Sequence, residues 1–106
     1  MANGSPPTET AVDSDHESSF VRAPEVLWRQ VAGVILIRTV AEPEIVELSG
    51  TGVLLWLALV EPITAGELAT ELAAVMGAPG DVVVGDVRTA LADLVHRGFV
   101  TQRGVV

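Results

Sequence analysis

The stretch Glu44-Ile45-Val46-Glu47-Leu48-Ser49-Gly50-Thr51-Gly52-Val53-Leu54-Leu55-Trp56-Leu57-Ala58-Leu59 decides how the rest of the chain is arranged. Its first five residues set charge between apolar side chains, the pattern of a short strand. Ser49-Gly50-Thr51-Gly52 then breaks the strand, and an almost wholly apolar helical run follows. A helix with no polar face has to sit at the centre of a core. The strand feeding it is either a buried sheet member or an edge beside that core. Glu44 and Glu47 fit both readings, as charges that guard an open edge or as the solvent side of a half-buried strand.

Upstream, the residues from Glu25 are β-prone, with Val26, Trp28 and Gln30 alternating against Leu27, Arg29 and Val31. Ala32-Gly33 supplies a turn, and Val34-Ile35-Leu36-Ile37-Arg38-Thr39 reads as a second strand, apolar on both faces. Ala41-Glu42-Pro43-Glu44 is a polar turn into the third strand, Ile45 to Leu48. The simplest arrangement is an antiparallel three-stranded meander. Residues 1–22 carry Glu9, Asp13, Asp15 and Glu17 among Ser, Thr, Gly and Pro and bury little, so they read as a disordered acidic tail, with the folded domain over 23–106. His16 stands in the tail between Asp15 and Glu17; composition favours a solvated polar run over a metal trio, and no metal site is expected.

Downstream, Ser49 or Thr51 is expected to cap the first helix, which runs to about Val60 before Glu61-Pro62 ends it. Thr64 and Glu67 have capping-box spacing, with Ile63 and Leu68 at the staple positions. That second helix continues through Leu72, Val75 and Met76 on one face to a stop at Gly77. Asp81 is the expected cap of the third. Val83, Val87, Ala90, Leu91, Leu94 and Val95 recur at helical spacing, which favours helix over strand even across Val82-Val83-Val84. Gly98 suits a left-handed C-cap from which Phe99 folds back onto Leu94, and residues 100–103 follow as extended chain. The fold class expected is α+β and winged-helix-like, a three-stranded antiparallel sheet followed by three helices, β-β-β-α-α-α.

Composition narrows the function. The 106 residues hold 49% hydrophobic and 19% charged side chains, a globular balance in a chain long enough for one modest core. Cysteine is absent, which removes disulfides, thiolate metal sites and cysteine nucleophiles, and fits a reducing compartment. No signal peptide is visible, and the longest apolar run, residues 53–60, falls far short of the roughly 20 residues a bilayer requires. A soluble cytoplasmic protein without membrane partners is expected. Net charge is −8, from 14 acids against six basic residues, every one an arginine. Ten of the acids and all six arginines follow Phe20, leaving about −4 on the folded part. Nucleic-acid binding through counterion release needs clustered Lys and Arg, so no nucleic-acid partner is expected. For a winged-helix DNA-binding regulator, the alternative, the only basic contacts would be Arg88, Arg97 and Arg103, and a helix presenting one arginine with Asp86 and Asp93 nearby is a poor major-groove reader.

Candidates for catalysis are few. Tyrosine and lysine are missing along with cysteine, and His96 lies in a helix's last turn, where its charge is favourable. Asp93 lies three residues before it, an ordinary surface spacing. The glycines of 49–52 lack the lysine of a phosphate loop, and turning into a buried helix accounts for them. Trp56 reads as core. Trp28 lies on a strand near Arg29 and Arg38, with its exposure open. No catalytic residues are assigned.

Taken together, Trp28-Arg29, Glu47-Leu48-Ser49-Gly50-Thr51-Gly52, Leu55-Trp56-Leu57-Ala58-Leu59, Glu61-Pro62-Ile63-Thr64, Glu67-Leu68-Ala69, and Asp86-Val87 through Leu91 and Leu94 to Gly98-Phe99-Val100 resemble the PqqD-like family, the RiPP recognition elements. The resemblance spans residues 24–101; the acidic tail and Ser49-Gly50, where members often show Asn-Pro, depart from it. It implies a domain with no catalysis and no cofactor, which binds the leader of a ribosomally made precursor peptide. The leader would add as a strand beside the third strand and pack against the third helix. Implied peptide contacts are Glu44, Ile45, Val46, Glu47 and Leu48 from the strand, and some of Val84, Val87, Arg88, Thr89 and Leu91 from the helix. Arg88 would pair with a leader carboxylate, and Glu44 or Glu47 with a leader cation. The implied second partner is a modifying enzyme, such as a radical SAM protein, a cyclase or a leader peptidase. A homodimer also stays open, because an exposed edge strand can pair with its own copy.

Overall fold

In the computed structural model, which describes residues 18–104, the elements run β1 (Ser19–Arg22), β2 (Val26–Val31), β3 (Val34–Thr39), β4 (Val46–Leu48), α1 (Thr51–Ala58), β5 (Ile63–Thr64), α2 (Ala65–Met76), α3 (Gly80–His96) and β6 (Val100–Arg103). The class is α+β, with the strands divided between two antiparallel three-stranded sheets, ordered β2-β3-β4 and β5-β1-β6. The first is the expected meander. The second joins an N-terminal strand to two short strands from the helical half.

Ser19–Arg22 corrects the expected tail boundary. These four residues pair with β5 on one side and β6 on the other, Ser19 facing Thr64 and Arg103. Four residues with one bulky apolar pair, Phe20-Val21, are too little to declare a strand locally. Partners more than 40 residues downstream complete it. The rest of the expected tail, with the His16 trio, lies outside the described residues.

The hairpin between β2 and β3 is built on Ala32 and Gly33, which have φ of 51° and 85°. Two consecutive positive φ values in a two-residue loop make the type I′ turn, whose twist matches paired strands. It sets Val31 opposite Val34, Trp28 opposite Ile37 and Val26 opposite Thr39. β4 joins the other side of β3 with Val46 opposite Ile37 and Leu48 opposite Ile35. It begins at Val46, one residue later than expected, and Ile45 precedes it at 62% exposed.

Helix boundaries follow local signals in some places and depart from them in others. The first helix is not capped by Ser49 or Thr51: its N-cap is Gly50, at φ 56°, without a side-chain bond. The break has to reverse direction within two residues, and only a positive φ allows that. At Gly52 a Cβ would only make ordinary contact with the Leu48 side chain, at 3.5 Å, so packing there does not demand glycine. α1 ends at Ala58, earlier than the expected Val60. Its last carbonyls are taken by Arg22: the guanidinium donates two bonds to Trp56 O at 2.9 and 3.1 Å, and Arg22 N–H donates to Leu59 O at 3.1 Å. A cation at a helix C-terminus is favourable there.

The Thr64–Glu67 capping box is formed in both directions, and Gly77 ends α2 in the left-handed region. Asp81 is not the cap of α3; Pro79 is, and Asp81 stands in the first turn. α3 is helical through Val82-Val83-Val84, as expected. At its end Gly98 N–H bonds Val95 O and Phe99 N–H bonds Leu94 O, both at 3.0 Å. This is the Schellman arrangement that Gly98 predicts.

Ile35, Ile37, Leu55, Trp56, Leu59, Leu68, Val87 and Leu91 are almost wholly buried and form the centre of the core, with Val53, Leu72, Val83, Leu94, Phe99 and Val100 around them. α2 runs through Leu72, Val75 and Met76 to Gly77 as expected, yet Val75 is 70% and Met76 47% exposed. Their spacing from Leu72 is helical, but no described element covers that turn. Within α1 only Val53, Leu55 and Trp56 are buried, and Leu57 is 39% exposed. Among the described residues no single helix is long and apolar enough to cross a membrane, and α2 meets α3 at 120°.

Candidate functional site

The expected strand contacts share one place. β4 ends the sheet and, among the described residues, pairs with β3 alone. Antiparallel pairs alternate between residues that exchange backbone bonds and residues that do not. The two-residue hairpin makes Val31–Val34 a bonded pair, so Leu36 spends its backbone groups on β2, and Ile35 and Ile37 spend theirs on Leu48 and Val46. The N–H and C=O of Glu47 therefore point away from the sheet. Val46 and Leu48 turn their half-buried side chains toward the core, while Glu44, Ile45 and Glu47 stand exposed. The result is a short rail, held from behind by Ile35 and Ile37 and lined with carboxylates.

The expected helix contacts are not brought together in the same way. Val87 and Leu91 have no exposed surface and belong to the core. Val84 is half-buried and Thr89 exposed. Arg88 lines a hollow of about 220 Å³ with Ser18, Phe20, Ala65, Ala92 and Gln102. That hollow is bordered by β1 and β6, strands of the other sheet. In the present surface only Val84 keeps a side chain both apolar and partly accessible on α3 among the nominated residues.

A cluster that sequence reasoning missed links β1, β2 and α1. Arg22 places its guanidinium 4.8 Å from the ring centroids of both Trp28 and Trp56. The two indoles meet edge to face, with centroids 6.0 Å apart and planes at 77°. Trp56 is fully buried and its Nε1 has no partner among the described residues; Trp28 remains 39% exposed. Burial lowers the Arg22 pKa from its ordinary range, since the charged form loses solvation. Each cation–π contact contributes about 0.5–2 kcal/mol. Arg22 thereby joins the two sheets to the end of α1. No local pattern signals it, because Arg22 lies in the stretch read as tail and is 34 residues from Trp56.

The alternative nucleic-acid surface is weak. Arg97 bonds the Asp93 carboxylate at 2.9 Å, and Asp81 and Asp86 are exposed on the same helix as Arg88. The Asp93 bond to Arg97 also takes the carboxylate considered for His96.

Neither a curated protein nor a solved structure matches the chain. A family model described as coenzyme PQQ synthesis protein D (PqqD) matches residues 28–100, from Trp28 of β2 to the first residue of β6. The matched span holds the whole β3-β4-α1-α2-α3 body and leaves out β1. The chain therefore belongs to the PqqD family, the RiPP recognition element family, and to its adaptor role in peptide-derived cofactor and natural-product biosynthesis.

Proposed function

We propose that this domain captures the leader of a ribosomally made precursor peptide as an added strand on β4 and presents it to a modifying enzyme, without a catalytic step of its own. The observation that carries the reading is the outward backbone of Glu47 on an end strand whose neighbours, Val46 and Leu48, are fixed by β3. Strand addition takes its affinity from main-chain bonds and its specificity from alternate side-chain positions. Glu44 and Glu47 favour a leader with Lys or Arg at facing positions, while Ile45 offers an apolar contact beside them. Val84 on α3 is the apolar contact considered on the helix side.

The rail is short, so affinity has to be shared with side chains on both flanks. Val87 and Leu91 serve this site as packing behind the surface, and Arg88 serves the hollow beside β1 and β6 rather than the rail. Holding the leader raises the local concentration of the precursor's core region at the enzyme without any contact at the reacting atoms. Family partners of this kind are a precursor peptide and a modifying enzyme.

The test is fluorescence titration of a labelled precursor encoded beside the gene, with wild type and Glu47→Pro. Proline at 47 removes a donor that faces solvent and leaves both bonded pairs with β3 intact. Saturable binding that falls about tenfold or more in the variant supports strand addition. Binding unaffected by Glu47→Pro excludes β4, and no binding by wild type excludes the leader.

A further inference from the structure

The same sheet has a second free edge, and it differs from the first. β2 pairs only with β3 among the described residues, and outside that ladder none of the described backbone bonds involves residues 26–31. Alternation from the Val31–Val34 pair commits Leu27, Arg29 and Val31 to β3 and turns the N–H and C=O of Val26, Trp28 and Gln30 outward. The bond from Val40 N–H to Glu25 O, 3.1 Å, has the parity this requires. Proteins usually blunt such an edge with charge, proline or a bulge. β4 is guarded by Pro43, Glu44 and Glu47. β2 spans six residues with neither acid nor proline, and leaves Leu27 49%, Trp28 39% and Val31 42% exposed.

We propose that β2 is the docking strand for a second copy of this chain, the two copies pairing antiparallel about Trp28 into one six-stranded sheet. Two-fold pairing must bring residues of the same face together, and its centre must lie on a residue. Centred on Trp28, it sets Trp28 against its own counterpart and Val26 against Gln30 of the second copy. Every outward donor and acceptor on the edge is then used, two bonds at each facing pair. The same register puts Arg29 opposite Leu27 of the second copy. Centred on Arg29, the strands would oppose two arginines, and although Trp28 and Gln30 would still face each other, Val26 would fall opposite Ala32 of the turn and lose its bonded partner. The edge thus favours one self-complementary alignment.

This inference stands apart from the leader reading, since β3 separates the two edges. The experiment is sedimentation equilibrium of the full chain over rising concentration, comparing wild type, Leu27→Glu, Leu27→Arg and Gln30→Pro. Leu27 and Gln30 are exposed, so the variants keep the core. Leu27→Glu sets a carboxylate against Arg29 twice in the dimer and tightens association about 2- to 30-fold; Leu27→Arg weakens it by a similar factor. Gln30→Pro removes an outward donor from each copy and weakens association about tenfold or more. Monomer at every concentration for wild type and Leu27→Glu alike overturns the proposal. So does a dimer whose constant is the same in Gln30→Pro, or one that Leu27→Glu and Leu27→Arg shift in the same direction.

Discussion

The two edges of one sheet obey the same backbone rules and offer opposite surfaces. β4 is three residues long, fixed by Val46 and Leu48 against Ile37 and Ile35, and bordered by Pro43, Glu44 and Glu47. β2 is twice that length, exposed on most of both faces, and carries Arg29 as its one charge. A short, acid-lined, well-anchored edge discourages copies of itself, and on the proposed reading it would select a cationic strand. A long edge with aromatic and branched residues and no acid lacks that guard, which is why a second copy is proposed there. What an edge binds therefore depends less on its being free than on which charges stand beside its outward backbone groups.

Four substitutions break or sharpen that contrast. Val46→Pro should cost about 2–3 kcal/mol, because the lost donor faces Ile37 and the ring enters the β3 side of the ladder. Urea denaturation measures it, and precursor binding should fall with it. An equal loss from Glu47→Pro would mean that the two residues do not differ in direction. Arg22→Met should cost about 1–3 kcal/mol by removing both guanidinium bonds to the Trp56 carbonyl, which keeps only the Leu59 N–H, and the cation–π contacts to the two indoles. The same variant should loosen Trp28, shift tryptophan emission to longer wavelength and speed amide exchange in β2 more than in β4. Glu47→Pro itself should change stability by less than about 1 kcal/mol while reducing peptide affinity about tenfold, so binding and stability separate at 47 and not at 46. Ala32→Asn should stabilise by about 0.5–1 kcal/mol, since φ of 51° suits asparagine in a type I′ turn better than alanine. Sharpening that turn should leave the β4 edge unchanged, as judged by precursor affinity.

Particular residues show where sequence reading succeeds. Thr64 and Glu67 form their capping box, Gly77 and Gly98 end their helices, and Gly33 turns its hairpin. Each outcome depends on groups within a few residues, whose geometry the chain itself sets. Phe20-Val21 shows the opposite. Nothing within the segment declares a strand, and β1 exists because β5 and β6 flank it. Val75 and Met76 keep helical spacing, yet no described element reaches them, so periodicity named a face without naming its cover. Asp81 has the chemistry of a cap but sits one turn-start too late, because Pro79 already has the extended backbone that opens α3.

The candidate site divides along the same line. Glu44, Ile45, Val46, Glu47 and Leu48 were legible as one strand, and their alternation alone separates the core-facing pair from the exposed residues. Whether that strand ended a sheet was not legible, because the answer belongs to the number of neighbours β3 accepts. Val84, Val87, Arg88 and Leu91 lie along one helix within two turns, but their surroundings differ: two are sealed in the core, and one lines a hollow by the other sheet. Alone, the sequence determined the capping box of α2, the glycine stops after α2 and α3, the hairpin turn, the apolar centre at Trp56 and the family, since each is written in short-range pattern. Only tertiary structure decided which edges stay free, which way Glu47 and Trp28 present their backbones, and that Arg22 ties the two sheets together. Those outcomes depend on partners distant in sequence, and the cost of bringing them together is met by the whole core rather than by any one segment.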